Sequence, residues 1–208
     1  MASTKRSLLS GIVALASALS LLPSADYLAA GAQSRPPIEG SAMKIYLAGP
    51  LGFSEAGRYF YDREFIPMVK AAGFVVLDPW ALTPQSEVDA VANMPDDPAR
   101  REAWRQLNVK IAGRNTAALD ECDAVVAILD GVDVDSGTAA EIGYAFAKGR
   151  PILGYRGDFR LSADNEGAKV NLQVEYFIRQ SGGDIITTIE QLPGALESIK
   201  AAVHKRRQ

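Results

Sequence analysis

Four carboxylates crowd one short stretch of the chain: Asp130, Asp133 and Asp135, then Glu141 beyond Gly137. Carboxylates so grouped suit cleavage of a glycosidic bond. One captures or stabilises an oxocarbenium-like centre, while another group helps the leaving group take a proton. A double displacement further needs the nucleophilic carboxylate ionised and close to the anomeric carbon. The same residues have a structural reading of at least equal weight. Thr138-Ala139-Ala140-Glu141 has the spacing of a capping box, in which Glu141 serves only backbone N–H groups. Asp135 or Ser136 is itself a competent N-cap. Local spacing leaves both readings open.

The elements that must carry these residues alternate between strand and helix. Ile45-Tyr46-Leu47-Ala48 is a short apolar strand ended by Gly49-Pro50. Ser54 can cap a helix over residues 54–72, stopped by Gly73. Phe74-Val75-Val76-Leu77 is a second strand, closed by Asp78-Pro79. The polar stretch 81–98, with Pro84, Pro95 and Pro98, reads as a long loop, and loops of that length in a compact domain are commonly functional. Helix resumes by Arg101 and runs to about Leu119. The almost unbroken apolar run 123–129 suits the centre of a parallel sheet. Residues 136–148 form the helix that would carry Glu141, Pro151-Ile152-Leu153-Gly154-Tyr155 a fourth strand, and 170–180 a further helix. Residues 184–187 give a fifth strand and 189–203 the last helix.

Strand–helix alternation of this kind implies right-handed crossovers and a parallel sheet covered on both faces. Five strands of this size predict an α/β flavodoxin-like (Rossmann-like) fold with order 2-1-3-4-5. Ligands then bind beyond the carboxyl ends of the strands, at the loops after Ala48, Leu77 and Leu129.

Composition narrows the function classes. Of 208 residues 48% are hydrophobic and 23% charged, ordinary for a globular domain, and the formal net charge is −3 with a pI near 5.3. No long-range field draws polyanions, so nucleic acid is not an expected partner. The one dense basic run, His204-Lys205-Arg206-Arg207, reads as a solvated tail near a helix C-terminus. Cys122 is the only cysteine and reads as a packing residue; His204 is the only histidine, and no metal site is expected.

Residues 1–32, with Lys5 and Arg6 ahead of an apolar stretch and Ala30-Gly31-Ala32, have the pattern of a signal peptide. The stretch is too short to predict a stable membrane anchor. The competing reading is an over-extended start, with Met43 as the true one. The first predicts a periplasmic or secreted protein, the second a cytoplasmic one. Residues 33–42 read as a linker and 43–208 as the domain.

Three segments together carry a resemblance: Ile45-Tyr46-Leu47-Ala48-Gly49-Pro50, Asp123-Ala124-Val125-Val126-Ala127, and Asp135-Ser136-Gly137-Thr138-Ala139-Ala140-Glu141-Ile142-Gly143-Tyr144-Ala145. In this order and spacing, and on through Val170-Asn171-Leu172, the chain resembles the nucleoside 2-deoxyribosyltransferase family over about residues 44–183. The resemblance implies a covalent deoxyribosyl-enzyme on Glu141, with the sugar passed to another free nucleobase, or to water in the hydrolytic relatives. Tyr46 would orient that carboxylate and Asp135 would contact substrate and assist proton movement. Gly49, Asn115, Gly137 and Gln173 would line the pocket, and Gly137 would let the backbone approach the ligand. Asn171 would reach into a neighbouring subunit's site, implying a homodimer or larger homo-oligomer. Asn115 and Gln173 depart from residue types frequent in the family, which leaves base preference and the 5′ end open. Arg156, near the same edge, could meet a 5′-phosphate, though ion pairing at the surface is the plainer role for the Arg156, Asp158 and Arg160 group. No cofactor is implied. Two alternatives stand beside transfer: an N-glycoside hydrolase of deoxynucleosides or their 5′-monophosphates, and a nucleotide-binding sensor without catalysis.

Overall fold

The computed structural model describes residues 42–208; the leader at 1–32 and residues 33–41 of the linker lie outside the described residues. Strand β3 (Ala124–Ile128) is buried at every position, as an unbroken apolar run requires at the middle of a sheet. It pairs in parallel with β1 (Lys44–Ala48) on one side and β4 (Ile152–Tyr155) on the other. The edges are β2 (Val75–Leu77), next to β1, and β5 (Ile185–Ile186), next to β4. The order is β2-β1-β3-β4-β5, the expected flavodoxin-like arrangement.

Strand side chains alternate between faces, and β1 divides accordingly. Ile45 and Leu47 join a core with Phe65, Val69, Leu196 and Ile199, under α1 (Glu55–Phe60), α2 (Ile66–Ala71) and α7 (Leu192–Arg207). Tyr46 and Ala48 face the other core with Leu119, Ile142 and Ile178, under α4 (Pro98–Glu121), α5 (Ser136–Ala147) and α6 (Leu172–Gln180). Thus Tyr46 lies on the same side of the sheet as the helix bearing Glu141. Cys122 is buried in this second core, its thiol pushed up to about 12 chiefly by burial.

Several expectations need correction. The stretch 81–98 is not all loop, since it holds α3 (Gln85–Ala92). That helix buries no residue and is held instead by polar ties, Arg114 of α4 reaching Glu87 at 2.7 Å and Thr83 at 3.2 Å. Helix α4 is under way by Arg101, as expected; its start is at Pro98, because Asp97 caps it through the Arg100 N–H and proline is at ease in a first turn. The helix after β1 is interrupted between α1 and α2 by a π-helical turn, Tyr61–Phe65. A 3-10 turn, Ile189–Gln191, precedes α7, which then continues past Val203 to Arg207. Nor is the basic run a free tail. Arg206 donates to the carbonyls of Gly149 and Ser181, and Arg207 pairs with Asp123. Among the described residues no helix is long and apolar enough to cross a membrane.

Candidate active site

Glu141 lies in the second turn of α5, which starts just past the carboxyl end of β3. Its Oε1 accepts the Tyr46 hydroxyl at 2.6 Å, in the range of a charge-assisted O–H···O⁻ bond. Tyr46 is completely buried, and burial, with Glu141 next, pushes its phenol pKa up, so it remains a donor. Glu141 is partly buried. Burial raises its carboxyl pKa from the ordinary 4.5, the Tyr46 hydrogen bond opposes that, and the charge of Asp135 adds to it. The net direction is upward.

This geometry separates the two local readings of the acidic segment. Asp135 is the N-cap: its Oδ2 accepts the Thr138 N–H at 3.0 Å and the Thr138 hydroxyl at 3.1 Å. Thr138 is therefore inside the helix, buried, and cannot cap it. The Thr138–Glu141 capping box does not form, and Glu141 is left to Tyr46. Of the two remaining acids, Asp130 accepts the Asp158 N–H at 2.9 Å and Asp133 accepts the Val134 N–H at 2.7 Å.

Gly137 is exposed, and a Cβ there would lie 3.1 Å from Asp135 Oδ2, so the glycine leaves room for the capping carboxylate. Gly49 directly follows β1, and a Cβ there would come within 2.8 Å of the Ile128 Cβ of β3. Asn115 sits on α4 about one turn before buried Ala118 and Leu119, and its Oδ1 is a buried acceptor that finds no hydrogen-bond partner among the described residues. Asn171 caps α6, its Oδ1 accepting from the N–H groups of Gln173 (3.0 Å) and Val174 (3.4 Å). Gln173 is exposed in the first turn of that helix. Within one chain, then, the hydrogen bonds of Asn171 go to α6 and not to the Tyr46–Glu141 pair.

Arg156 is neither a surface ion-pair partner nor free to meet a phosphate. It is 4% exposed and donates to the carbonyls of Leu129, Gly131 and Arg160 and to the Ser162 hydroxyl. These bonds tie the loop after β3 to the loop after β4. Arg160 pairs with Asp158 at the surface.

Trp80 was not singled out by the sequence. It follows β2 at the same sheet edge, and its Nε1 donates to the Gly49 carbonyl at 3.4 Å. Its ring rests on Gly52, where a Cβ would meet it at 2.2 Å. Phe53 stands edge-on to it at 4.7 Å, and the Arg58 guanidinium lies 5.5 Å from its centroid. The available signal was position alone, an aromatic just past the second strand at the switch point of the sheet. Among the described residues no three His, Cys, Asp or Glu side chains gather as metal ligands do.

The family model for nucleoside 2-deoxyribosyltransferase matches residues 45–173, from β1 into the start of α6. The chain is 28% identical over 146 residues to an uncharacterized protein of Schizosaccharomyces pombe, covering 68% of this chain and 59% of that relative's length. Its fold is similar to a conserved protein of Enterococcus faecalis, with 26% identity, a TM-score of 0.54, and coverage of 76% of this chain and 98% of the other. A 2-deoxyribosyltransferase of Leishmania mexicana superposes with 24% identity and a TM-score of 0.49, over 78% of this chain and 97% of that one.

Proposed function

The chain belongs to the nucleoside 2-deoxyribosyltransferase family, and we propose that it cleaves the N-glycosidic bond of 2′-deoxynucleosides through a covalent intermediate on Glu141, passing the sugar to another nucleobase. The observation that carries this reading is the 2.6 Å hydrogen bond from buried Tyr46 to Glu141, a carboxylate with no capping duty. In the first step a Glu141 oxygen bonds to C1′ while the C1′–N bond breaks, its electron pair leaving with the base. In the second, a nitrogen of the incoming base attacks C1′ and releases the carboxylate. Both steps pass through an oxocarbenium-like centre that an adjacent negative charge stabilises.

Tyr46 fixes which Glu141 oxygen is occupied; among the described residues no donor reaches Oε2. Asp135 uses Oδ2 as a cap, leaving Oδ1 to face the substrate and assist proton movement at the base. The Trp80 and Phe53 rings beside Gly49 offer an apolar face to the base, and Asn115 Oδ1 an acceptor for a base N–H. A 2′-hydroxyl would crowd Glu141 and destabilise the cationic centre, which favours a 2′-deoxy sugar. The α6 cap consumes Asn171 Oδ1 alone, so its amide N–H groups remain able to serve a neighbouring subunit in a homo-oligomer.

Incubating the protein with deoxyinosine and adenine tests the reading. Deoxyadenosine as product supports transfer. Free deoxyribose without deoxyadenosine assigns the chain to hydrolysis. Binding with no cleavage across a nucleoside panel assigns it to sensing. Turnover retained in Glu141→Ala removes the nucleophile assignment.

A further inference from the structure

A second phenol–carboxylate pair stands on the other side of β1 from Tyr46 and Glu141. Tyr61, 2% exposed, donates its hydroxyl to Asp78 Oδ1 at 2.9 Å. The same oxygen accepts the Trp80 N–H at 3.0 Å. The Asp78 carbonyl accepts the N–H groups of Ala81 (2.9 Å) and Leu82 (3.1 Å). Asp78, directly after β2, therefore holds the turn bearing Trp80 through its side chain and its main chain together. Tyr61 opens the π turn, and it and Phe65 both point inward with rings 6.4 Å apart. π turns inside helices recur at functional positions. Burial and Asp78 push the Tyr61 phenol pKa up, so it stays a donor.

We propose that Tyr61 and Asp78 are positioning residues that set the orientation of the Trp80 ring against which the substrate's base stacks. The inference rests on the reading that the edge beside Gly49 receives a nucleobase. The path is short and fully bonded: Tyr61 fixes Asp78 Oδ1, that oxygen fixes the Trp80 backbone, and the Gly49 carbonyl with bare Gly52 fixes the ring. A phenol serving only to satisfy a core carboxylate would affect stability and leave the ring untouched.

The test uses the full chain with Trp104→Phe, so that Trp80 is its single tryptophan. In that background Tyr61→Phe and Asp78→Ala are expected to raise KM for deoxyinosine about three- to tenfold, the scale of one lost hydrogen bond, with kcat changed less. Trp80 emission should shift to the red and acrylamide quenching increase in both. Asp78→Asn keeps the Oδ1 acceptor and should regain most of what Asp78→Ala loses. Altered KM with unmoved Trp80 emission, or a lowered Tm with neither changed, overturns the proposal. Adenine binding followed by equilibrium dialysis reads the same face without turnover and without relying on the tryptophan signal. If Trp80→Ala leaves both KM and adenine binding unchanged, the base-stacking reading fails, and the proposal with it. If Trp80→Ala weakens both while Tyr61→Phe and Asp78→Ala match the parent, only the positioning role fails.

Discussion

Removing the Tyr46 hydroxyl should impair the protein in a way that depends on pH. Tyr46→Phe keeps the buried ring and deletes one donor, so the change falls on Glu141. A hydrogen bond to a charged group contributes about 1.5–3 kcal/mol, which is roughly a ten- to hundred-and-fifty-fold change in an equilibrium between ionised and neutral carboxyl. Glu141 is only partly buried, so water replaces part of the loss, and the lower end, about tenfold, is the expectation. That bond opposes the upward pull of burial on the Glu141 carboxyl, and without it the carboxyl is harder still to ionise. In the proposed role of nucleophile Glu141 must be ionised. Below the folded pKa of Glu141, kcat/KM should therefore fall by about tenfold. At high pH the carboxylate is refilled and only the loss of orientation remains. The assay is the ratio of parent to variant kcat/KM across pH, with thermal melts confirming that the variant is folded. A ratio near one at every pH would refute the role of Tyr46, and a large ratio that ignores pH would refute its coupling to Glu141 ionisation.

The same upward shift makes Glu141 a stability cost. A raised carboxyl pKa means the folded state prefers the proton, so the Glu141 contribution to stability declines as pH rises from the ordinary 4.5 through the folded value. Glu141→Gln should accordingly lose turnover but melt higher at pH 7, with the gain vanishing below the ordinary carboxyl range. Equal Tm values at pH 7 would contradict this. Arg156→Met removes four donated hydrogen bonds from a buried position and should destabilise by about 2–4 kcal/mol in chemical denaturation. Its activity on a deoxynucleoside and on the matching 5′-monophosphate should fall by one common factor; selective loss of the monophosphate activity would assign Arg156 to phosphate. Arg206→Ala should cost about 1–2 kcal/mol through its bonds to Ser181 and Gly149, with kcat unaltered because those contacts lie at the opposite edge of the sheet.

The sheet was legible because its strands are apolar runs separated by helices, and the run at 123–129 is among the most regular signals in the chain. Helix α3 was not, because it has no buried face and depends on an arginine of another helix. The capping question at Asp135 to Glu141 could not be resolved locally. Both Asp135 and Thr138 have the spacing of a cap; the folded helix selects Asp135, and the partner that Glu141 then takes is a tyrosine 95 residues upstream. Trp80 and Asp78 were missed for a similar reason. Their partners, Gly49, Gly52 and Tyr61, belong to other elements, and a Pro-flanked aromatic carries no period of its own.

That 95-residue separation also has a consequence for how the protein acquires activity. The Tyr46–Glu141 bond requires β1 to pair beside β3 and α5 to dock over both, contacts of long range that are slow to close. Local helices can form while the two halves of the site are still apart. Recovery of turnover after dilution from denaturant should therefore trail the return of helical signal, making glycosidic activity a reporter of completed β1–β3 closure.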